Sequence, residues 1–186
     1  MDAIELLTNR ASNGKLTEPA PDEESLRIAF EAASRAPDHA GLHPVRVRII
    51  RGAARQRLGE LMAAAAQRGN PQLSAEELEK TRAKALRAPL ILVVAAALKP
   101  HPKVPAVEQT LTAGTAAHAI LLALQARGYA AIWRTGAPAY EPEVKRALGF
   151  ADGDAIVGFL YAGTPRASAP SLIRPRPEEF VTEWSG

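Results

Sequence analysis

The stretch AVEQTLTAGTAAHAILLALQARGYAAIW, residues 106–133, decides the fold that this sequence predicts. Its first part predicts a long helix from about Ala106 to Arg127, and Gly128 is a residue type at which helices commonly end. Small and apolar residues occupy more than one side of this helix, which is typical of a helix buried inside a protein. Residues 129–133 then predict a strand. A buried helix followed at once by a strand indicates helices packed on a sheet.

Further helices and strands are predicted on both sides of this stretch. Periodic apolar residues and helix caps predict helices, whereas alternating or continuous aliphatic runs predict strands. The predicted helices cover residues 2–9, 22–35, 53–68, 75–87 and 142–148, and the other predicted strands cover residues 45–50, 90–97 and 155–162. Residues 10–21 are predicted as a loop. The fold class is therefore α/β (α+β), a mixed sheet flanked by helices, in a single domain of residues 1–186.

The C-terminal segment is predicted to be an extended arm. Residues 163–186 hold four prolines, which exclude a regular helix or a central strand; they are Pro165, Pro170, Pro175 and Pro177. The arm also carries apolar side chains that need an apolar surface to lie on, such as that of another subunit. These are Leu172, Ile173, Phe180, Val181 and Trp184.

The amino-acid composition excludes or disfavours several classes of function. The chain has no cysteine, which excludes disulfides, thiolate nucleophiles, zinc ribbons and iron–sulfur clusters. The net charge is +3, but the cations alternate with acids and lack interleaved aromatic residues, so nucleic-acid binding is disfavoured. A positive balance equally suits a pocket for phosphorylated anions. The N-terminal residues do not resemble a signal peptide, and no apolar stretch reaches the roughly 18–20 residues of a membrane span. We expect a cytoplasmic protein.

Common catalytic and metal-binding motifs are absent. The sequence contains no G-x-G-x-x-G after a strand, no P-loop, no H-E-x-x-H and no G-x-S-x-G. His39 and His43 are four residues apart, but Gly41 and Pro44 disfavour a helix there, so no metal site is predicted. The remaining signal lies in loops of Arg, Ser, Thr and Gly, a composition suited to an anionic cofactor that carries the chemistry itself.

Four such loops stand out, and each alone also fits an ordinary turn. Residues 9–15 offer Arg10, Ser12 and Lys15, the mixture of cations and hydroxyls that a phosphate monoester prefers. Residues 35–44 bring Arg, Asp and two His between prolines. Residues 132–137, IWRTGA, end a strand with an aromatic residue, a cation and a hydroxyl. Residues 157–165, VGFLYAGTP, end a strand where backbone amides could face an anion.

Taken together, these loops resemble the nitroreductase family over nearly the whole chain. The resemblance rests on short motifs that occur in this order: NR-x-S at 9–12, EPAP at 18–21, RAPDH at 35–39, RAPLI at 87–91, KVP at 103–105, EQ at 108–109, IWRTGA at 132–137 and VGFLY-x-GTP at 157–165. Each motif is weak alone, but their order and spacing are specific.

The resemblance implies a homodimer with FMN at the subunit interface and with NADH or NADPH as electron donor. It implies that Arg10, Ala11 and Ser12, helped by Lys15, line the phosphate and ribityl end of FMN. It further implies that Arg35 and His39 approach the flavin within the shared site and that Trp133, Arg134 and Thr135 add contacts. No side chain is expected to be catalytic, since the flavin carries the chemistry. Arg35 or Arg134 is the expected cation that stabilises the reduced flavin.

Two positions depart from the pattern of the family. Ala11 stands where members often carry a second Arg, so phosphate binding would depend on Arg10 and Lys15. The sequence His43-Pro44-Val45 stands where many relatives read Gln-Pro-Trp, which alters the wall of the substrate pocket. The activity implied is ping-pong reduction of nitroaromatic, quinone or similar electron-poor acceptors. The alternatives are another flavin chemistry on the same scaffold, such as dehalogenation or flavin fragmentation, and a flavin-binding module without turnover.

Overall fold

The computed structural model describes residues 2–171 and 173–186. Its helices are α1 (Ala3–Asn9), α2 (Glu23–Ala33), α3 (Ala54–Gly69), α4 (Ala75–Ala83), α5 (Ala106–Ala126), α6 (Ala137–Tyr140) and α7 (Pro142–Ala147). Its strands are β1 (Leu16–Thr17), β2 (Val45–Arg51), β3 (Leu90–Ala96), β4 (Ala130–Arg134) and β5 (Ala155–Pro165). Short 3-10 turns occupy His39–Gly41, Lys84–Leu86 and Pro177–Glu179.

The sheet is organised around β5. One edge of β5 pairs with β3, which pairs in turn with β2. The other edge pairs with β4 along Phe159–Gly163 and then with β1 at Thr164 and Pro165. Every pairing among the described strands is antiparallel. The mixed α/β class predicted from the sequence is confirmed.

Helices cover both faces of the sheet, because β3 and β5 are apolar on both sides. Ile91, Val93 and Ala95 of β3 face α3, α6 and α7, in a core that also contains Phe159 and Tyr161. The alternate residues of β3, with Leu160 of β5, face α2 and α5. All seven residues of β3 are buried, as the continuous aliphatic run predicts for a strand covered on both sides.

Most predicted elements are present within one to four residues of their predicted ends. Side chains cap the starts of two helices: Asp2 accepts hydrogen bonds from the first turn of α1, and Ser74 forms a capping box with Glu77 at the start of α4. The predicted helix 75–87 is an α-helix only to Ala83 and continues as a 3-10 turn.

Two loop predictions were wrong. Leu16 and Thr17, placed in a loop, form β1, and β5 therefore continues to Pro165 instead of ending at residue 162. The pairing partner of β1 is about 150 residues away in sequence, so local composition does not reveal this strand. In addition, residues after Gly136, expected to be loop, form the short helix α6.

The C-terminal segment is irregular apart from its single 3-10 turn. The side chains of Ile173, Phe180, Val181 and Trp184 are exposed on this chain. Leu172, also predicted to belong to the apolar surface of the arm, lies outside the described residues. Within the described part of the chain, no helix combines the length and apolarity needed to cross a bilayer.

Candidate functional site

The C-terminal end of β4 directs two site residues to opposite faces of the sheet. Because side chains alternate along a strand, Trp133 packs on the α5 side, whereas Arg134 lies on the α3 side, opposite Phe159 of β5. The indole Nε1 of Trp133 donates a hydrogen bond to the Val157 carbonyl at 3.0 Å. The indole lies directly over Gly158, where a Cβ would be 2.1 Å from Nε1, so only glycine leaves room for it. This packing fixes the position at which Arg134 and Thr135 leave the strand.

A cavity of about 500 Å³ opens at this end of β4, and we call it the β4 cavity. Its walls combine apolar side chains from α3 and β5 with cations and hydroxyls; the lining residues are Met62, Ala66, Thr81, Lys84, Arg87, Phe159, Tyr161 and residues 133–138. Arg134 and Thr135, which were predicted as site residues, therefore border one cavity, and Trp133 also lines it although its indole packs on the other face of the sheet. An apolar floor with a few polar groups at the rim is the usual form of a cofactor site.

Tyr161 forms part of the β4 cavity. It is 3 % exposed, and burial raises the pKa of its phenol. The positive charges of Arg134 and Arg87 oppose that pKa shift, so both guanidinium groups lie close enough to act on the phenol. The hydroxyl is thus held in its neutral form, as a hydrogen-bond donor inside a positively charged cavity.

A second cavity, of about 640 Å³, adjoins the first and shares Arg87 and Arg134 with it. Because four of its seven lining residues are cations, we call it the cationic cavity; they are Lys15, Arg87, Arg134 and Arg166, together with Gly14, Leu16 and Ala167. Lys15 is therefore placed beside Arg134, another of the predicted site residues. Within residues 2–171 and 173–186, none of the four cations forms an ion pair.

The buried side chain of Asn13 ties together the segments that carry these cations. Its Nδ2 donates to the Ala167 carbonyl at 2.8 Å, and its Oδ1 accepts from the Lys15 amide at 2.9 Å. Its own amide donates to the Ala131 carbonyl of β4 at 3.1 Å. Sequence reasoning passed over Asn13, although an Asn inside a predicted ligand loop is a residue type suited to this role.

Residues 10–12 form the next part of the same edge. Arg10 and Ser12 are half-buried, and the Arg174 guanidinium of the arm donates to the Arg10 carbonyl at 2.9 Å. Arg174 is therefore adjacent to the loop that was predicted to bind a phosphate. Ala11 faces a third cavity, which shares Arg166 and Ala167 with the cationic cavity and extends to Gln125 at the C-terminal end of α5.

Arg35 and His39 lie at the opposite end of α5. The Nδ1 atom of His39 is 2.6 Å from Glu108 Oε2 in the first turn of α5, and Thr112 Oγ1 donates to the Pro37 carbonyl. At about 1.5 Å per residue, Glu108 is roughly 25 Å from Gln125, the neighbour of Ala11. One chain therefore does not bring His39 to the loop of Arg10, and the predicted site residues fall into two separate groups.

Several residues of these cavities were not singled out from the sequence, and among them are Lys84, Arg87, Tyr161 and Arg166. Arg87 and Tyr161 belong to motifs that were quoted for the family resemblance, but nothing local distinguishes them from a surface cation and a core aromatic residue. They meet only because β3, β4 and β5 are neighbours in the sheet. No group of three or more His, Asp and Glu residues that could hold a metal occurs among the residues described.

Comparison with known proteins assigns the family. The model of the nitroreductase family matches residues 7–164, which is most of the chain. The chain belongs to the nitroreductase family. It is 42 % identical, over 98 % of its length and 99 % of the relative, to an Escherichia coli K12 protein named "Putative NAD(P)H nitroreductase YdjA".

Solved structures of the nitroreductase family share the fold. A nitroreductase-like protein from Bacillus cereus has a TM-score of 0.85 at 20 % identity, covering 100 % of this chain and 97 % of that one. A single-residue variant of NfnB from Sphigopyxis sp. strain HMH, named as an FMN- and NADPH-dependent nitroreductase, has a TM-score of 0.80 at 20 % identity, with both chains fully covered. At this identity the agreement concerns the fold alone.

Proposed function

We propose that the protein is an FMN-dependent NAD(P)H oxidoreductase that reduces nitroaromatic, quinone or similar electron-poor acceptors by a ping-pong mechanism. The observation that carries this proposal is the β4 cavity, an apolar cavity bordered by cations at the end of β4. Membership of the nitroreductase family and the names of the E. coli and Sphigopyxis proteins support it. The cytoplasmic location expected from the sequence stays a prediction.

The residues present fit FMN in both of its parts. A flat, largely apolar ring suits the β4 cavity, where Phe159 and Met62 supply apolar surface and Thr81 and Thr135 supply hydroxyls. A phosphate monoester suits the neighbourhood of Arg10, which offers the guanidinium groups of Arg10 and Arg174 and the hydroxyl of Ser12. Backbone amides around Gly136, whose φ of 110° is accessible mainly to glycine, bring the chain close to the same cavity.

A bound FMN would supply the two-electron redox chemistry that links a nicotinamide donor to the acceptor that replaces it. The chain itself binds, orients and adjusts the electrostatics of the site. Lys84, Arg87 and Arg134 favour negative charge in the β4 cavity, and Tyr161 can donate a hydrogen bond there. Phe159 and Tyr161 of β5 form the wall of the β4 cavity on the sheet side and restrict the access of water from there.

A homodimer is the second part of the proposal. Arg35 and His39 are about a helix length from the loop of Arg10, so if both groups contact one FMN they must belong to different copies of the chain. Apolar side chains on α1 and on the N-terminal half of α5 are each more than half exposed; they are Ile4, Leu7, Val107 and Leu111. The exposed apolar residues of the arm support the same assembly.

The test is the visible absorption spectrum of the purified protein, recorded before and after NADPH is added without oxygen. The flavin bands are expected to be present and to bleach. Protein that is colourless and fails to take up added FMN would refute the proposal. Flavin bands that persist after both NADPH and NADH are added would contradict the proposal that a nicotinamide is the electron donor. Product analysis after turnover separates nitroreduction from dehalogenation or flavin fragmentation.

A further inference from the structure

The cationic cavity contains one cation, Arg166, that the proposed FMN site does not use. In that site the phosphate of FMN lies beside Arg10, Ser12 and Arg174, where Lys15 is expected to help, and Arg87 and Arg134 act on the flavin ring. Lys15, Arg87, Arg134 and Arg166 remain without ion-pair partners among the described residues. Like charges repel, so a cluster of this kind is most stable with an anion between its members.

The cluster is fixed by the fold and does not depend on flexible side chains alone. The Arg166 amide donates to the Lys15 carbonyl at 2.9 Å, which holds the two segments side by side. Asn13 joins both segments to β4, and the Arg134 guanidinium lies against Gly14, with Nη2 3.5 Å from the position of a Cβ there. Three separate segments of the chain therefore converge on one cavity.

The sequence indicates which anion is needed. The chain lacks the glycine-rich turn through which dinucleotide-binding folds hold a pyrophosphate with backbone amides. A nicotinamide donor must therefore find its phosphate contacts on side chains. It must also place its ring beside the β4 cavity, which shares Arg87 and Arg134 with the cationic cavity.

We propose that the cationic cavity binds the phosphate groups of the nicotinamide donor, with Arg166 as the residue specific to this role. The proposal rests on the proposed function, since it assumes a flavin in the β4 cavity. Arg166 lines the cationic cavity but not the β4 cavity, so it separates donor binding from contacts to the ring.

The experiment compares four reductants with the FMN-loaded protein. The synthetic donor 1-benzyl-1,4-dihydronicotinamide has no phosphate, reduced nicotinamide mononucleotide has one, NADH has a pyrophosphate, and NADPH has an additional 2′-phosphate. In Arg166→Ala, kcat/KM for the phosphate-bearing donors, relative to the phosphate-free donor, is expected to fall roughly tenfold or more. The first donor in the series to show the loss identifies the phosphate that is bound. Higher ionic strength should weaken the same preference in the unmodified protein.

A binding measurement without turnover accompanies the kinetics. Calorimetry with NADP⁺ and with oxidised nicotinamide mononucleotide should show weaker binding to Arg166→Ala. Arg57→Ala, which removes an exposed cation of α3 outside both cavities, is the matched control and should change neither measurement.

Three results would overturn the proposal. One is an equal loss of kcat/KM with all four donors in Arg166→Ala. Another is unchanged binding of both oxidised nucleotides. The third is a loss of FMN affinity without a loss of riboflavin affinity, which would assign the cavity to the phosphate of the flavin. Failure of the proposed function itself would look different, because the unmodified protein would then bind no FMN or accept electrons from none of the donors.

Discussion

Replacing Gly158 with Ala tests whether the indole of Trp133 positions the end of β4. A Cβ at Gly158 would be 2.1 Å from Nε1 and 2.6 Å from Cδ1 of Trp133. Ordinary carbon contacts begin near 3.5 Å, so the ring would have to retreat by roughly 1 Å or more. The other edge of the ring faces Gly114 of α5, where an added Cβ would be 3.8 Å from Cη2, so the ring can retreat only into the space left by the missing side chain of that glycine.

The magnitude follows from two contributions. Overpacking of a closed site costs about 1–3 kcal/mol, and loss of the hydrogen bond from Trp133 to the Val157 carbonyl costs about 1 kcal/mol more. The free energy of unfolding of Gly158→Ala should therefore fall by roughly 2–4 kcal/mol. For a chain of this size Tm should fall by roughly 5–15 °C. Urea denaturation and thermal melting measure both quantities, and FMN affinity should fall with them because Arg134 and Thr135 are displaced.

Two further variants serve as controls. Gly153→Ala adds a methyl group to open space and should change stability by less than about 0.5 kcal/mol. In a Trp133→Ala background, Gly158→Ala should lose most of its effect, because the clashing ring is gone. The reasoning is refuted if Gly158→Ala and Gly153→Ala have the same Tm. It is also refuted if Gly158→Ala is equally destabilising with and without the indole.

Three further predictions concern a helix cap, the flavin and the dimer. Ser74→Ala should cost about 1 kcal/mol at pH 7 by urea denaturation. Hydrogen bonds from the amide and then the hydroxyl of Ser74 hold the pKa of Glu77 below its usual value, and Ser74→Ala removes only the hydroxyl. The stabilisation from that hydroxyl is present above the usual pKa of a glutamate and is lost as the pH falls through the lowered pKa, so the difference between the two proteins should shrink in acid, and a difference independent of pH would contradict this. Arg134→Ala should lower the flavin reduction potential, by about 30 mV for each 1.4 kcal/mol of lost interaction, and an unshifted potential relative to Arg57→Ala would exclude it as the stabilising cation. Leu111→Glu on the exposed face of α5 should give a monomer with reduced FMN content by light scattering and absorbance, whereas a stable dimer would exclude this surface from the interface.

Elements with strong local signals were predicted well from the sequence. The helix of residues 106–126 and the strand of residues 90–96 are long and continuously apolar, so little else competes with those structures. The two-residue strand at Leu16 was missed because its stability comes from pairing with Pro165, not from its own composition. The end of β5 was predicted too early for the same reason. Residues 163–165, Gly-Thr-Pro, resemble the end of a strand, but they continue β5 where it pairs with β1.

The loops that carry the candidate site could be predicted from the sequence, but the arrangement of their side chains in space could not. Trp133, Arg134, Thr135 and Lys15 were selected because residues of these types follow strands or helices, and the structure brings them to two adjoining cavities. Arg166 had no such signal, because an Arg after Gly-Thr-Pro looks like any solvent-exposed cation. Its significance depends on the backbone contact to Lys15, which only the fold creates.

The antiparallel pairing of β4 with β5 explains why cations collect at this edge. Arg134 is opposite Phe159, and Ile132 is opposite Tyr161, so the polar end of β4 adjoins the buried phenol instead of solvent alone. Neutral Tyr161 has no negative charge with which to pair with these cations, and its hydroxyl can donate a hydrogen bond. A carboxylate at this position would instead form ion pairs with Arg87 and Arg134 and occupy the site. The absence of acidic residues among the described residues that line both cavities therefore matters as much as the presence of the cations. It leaves the charge available to an anionic ligand.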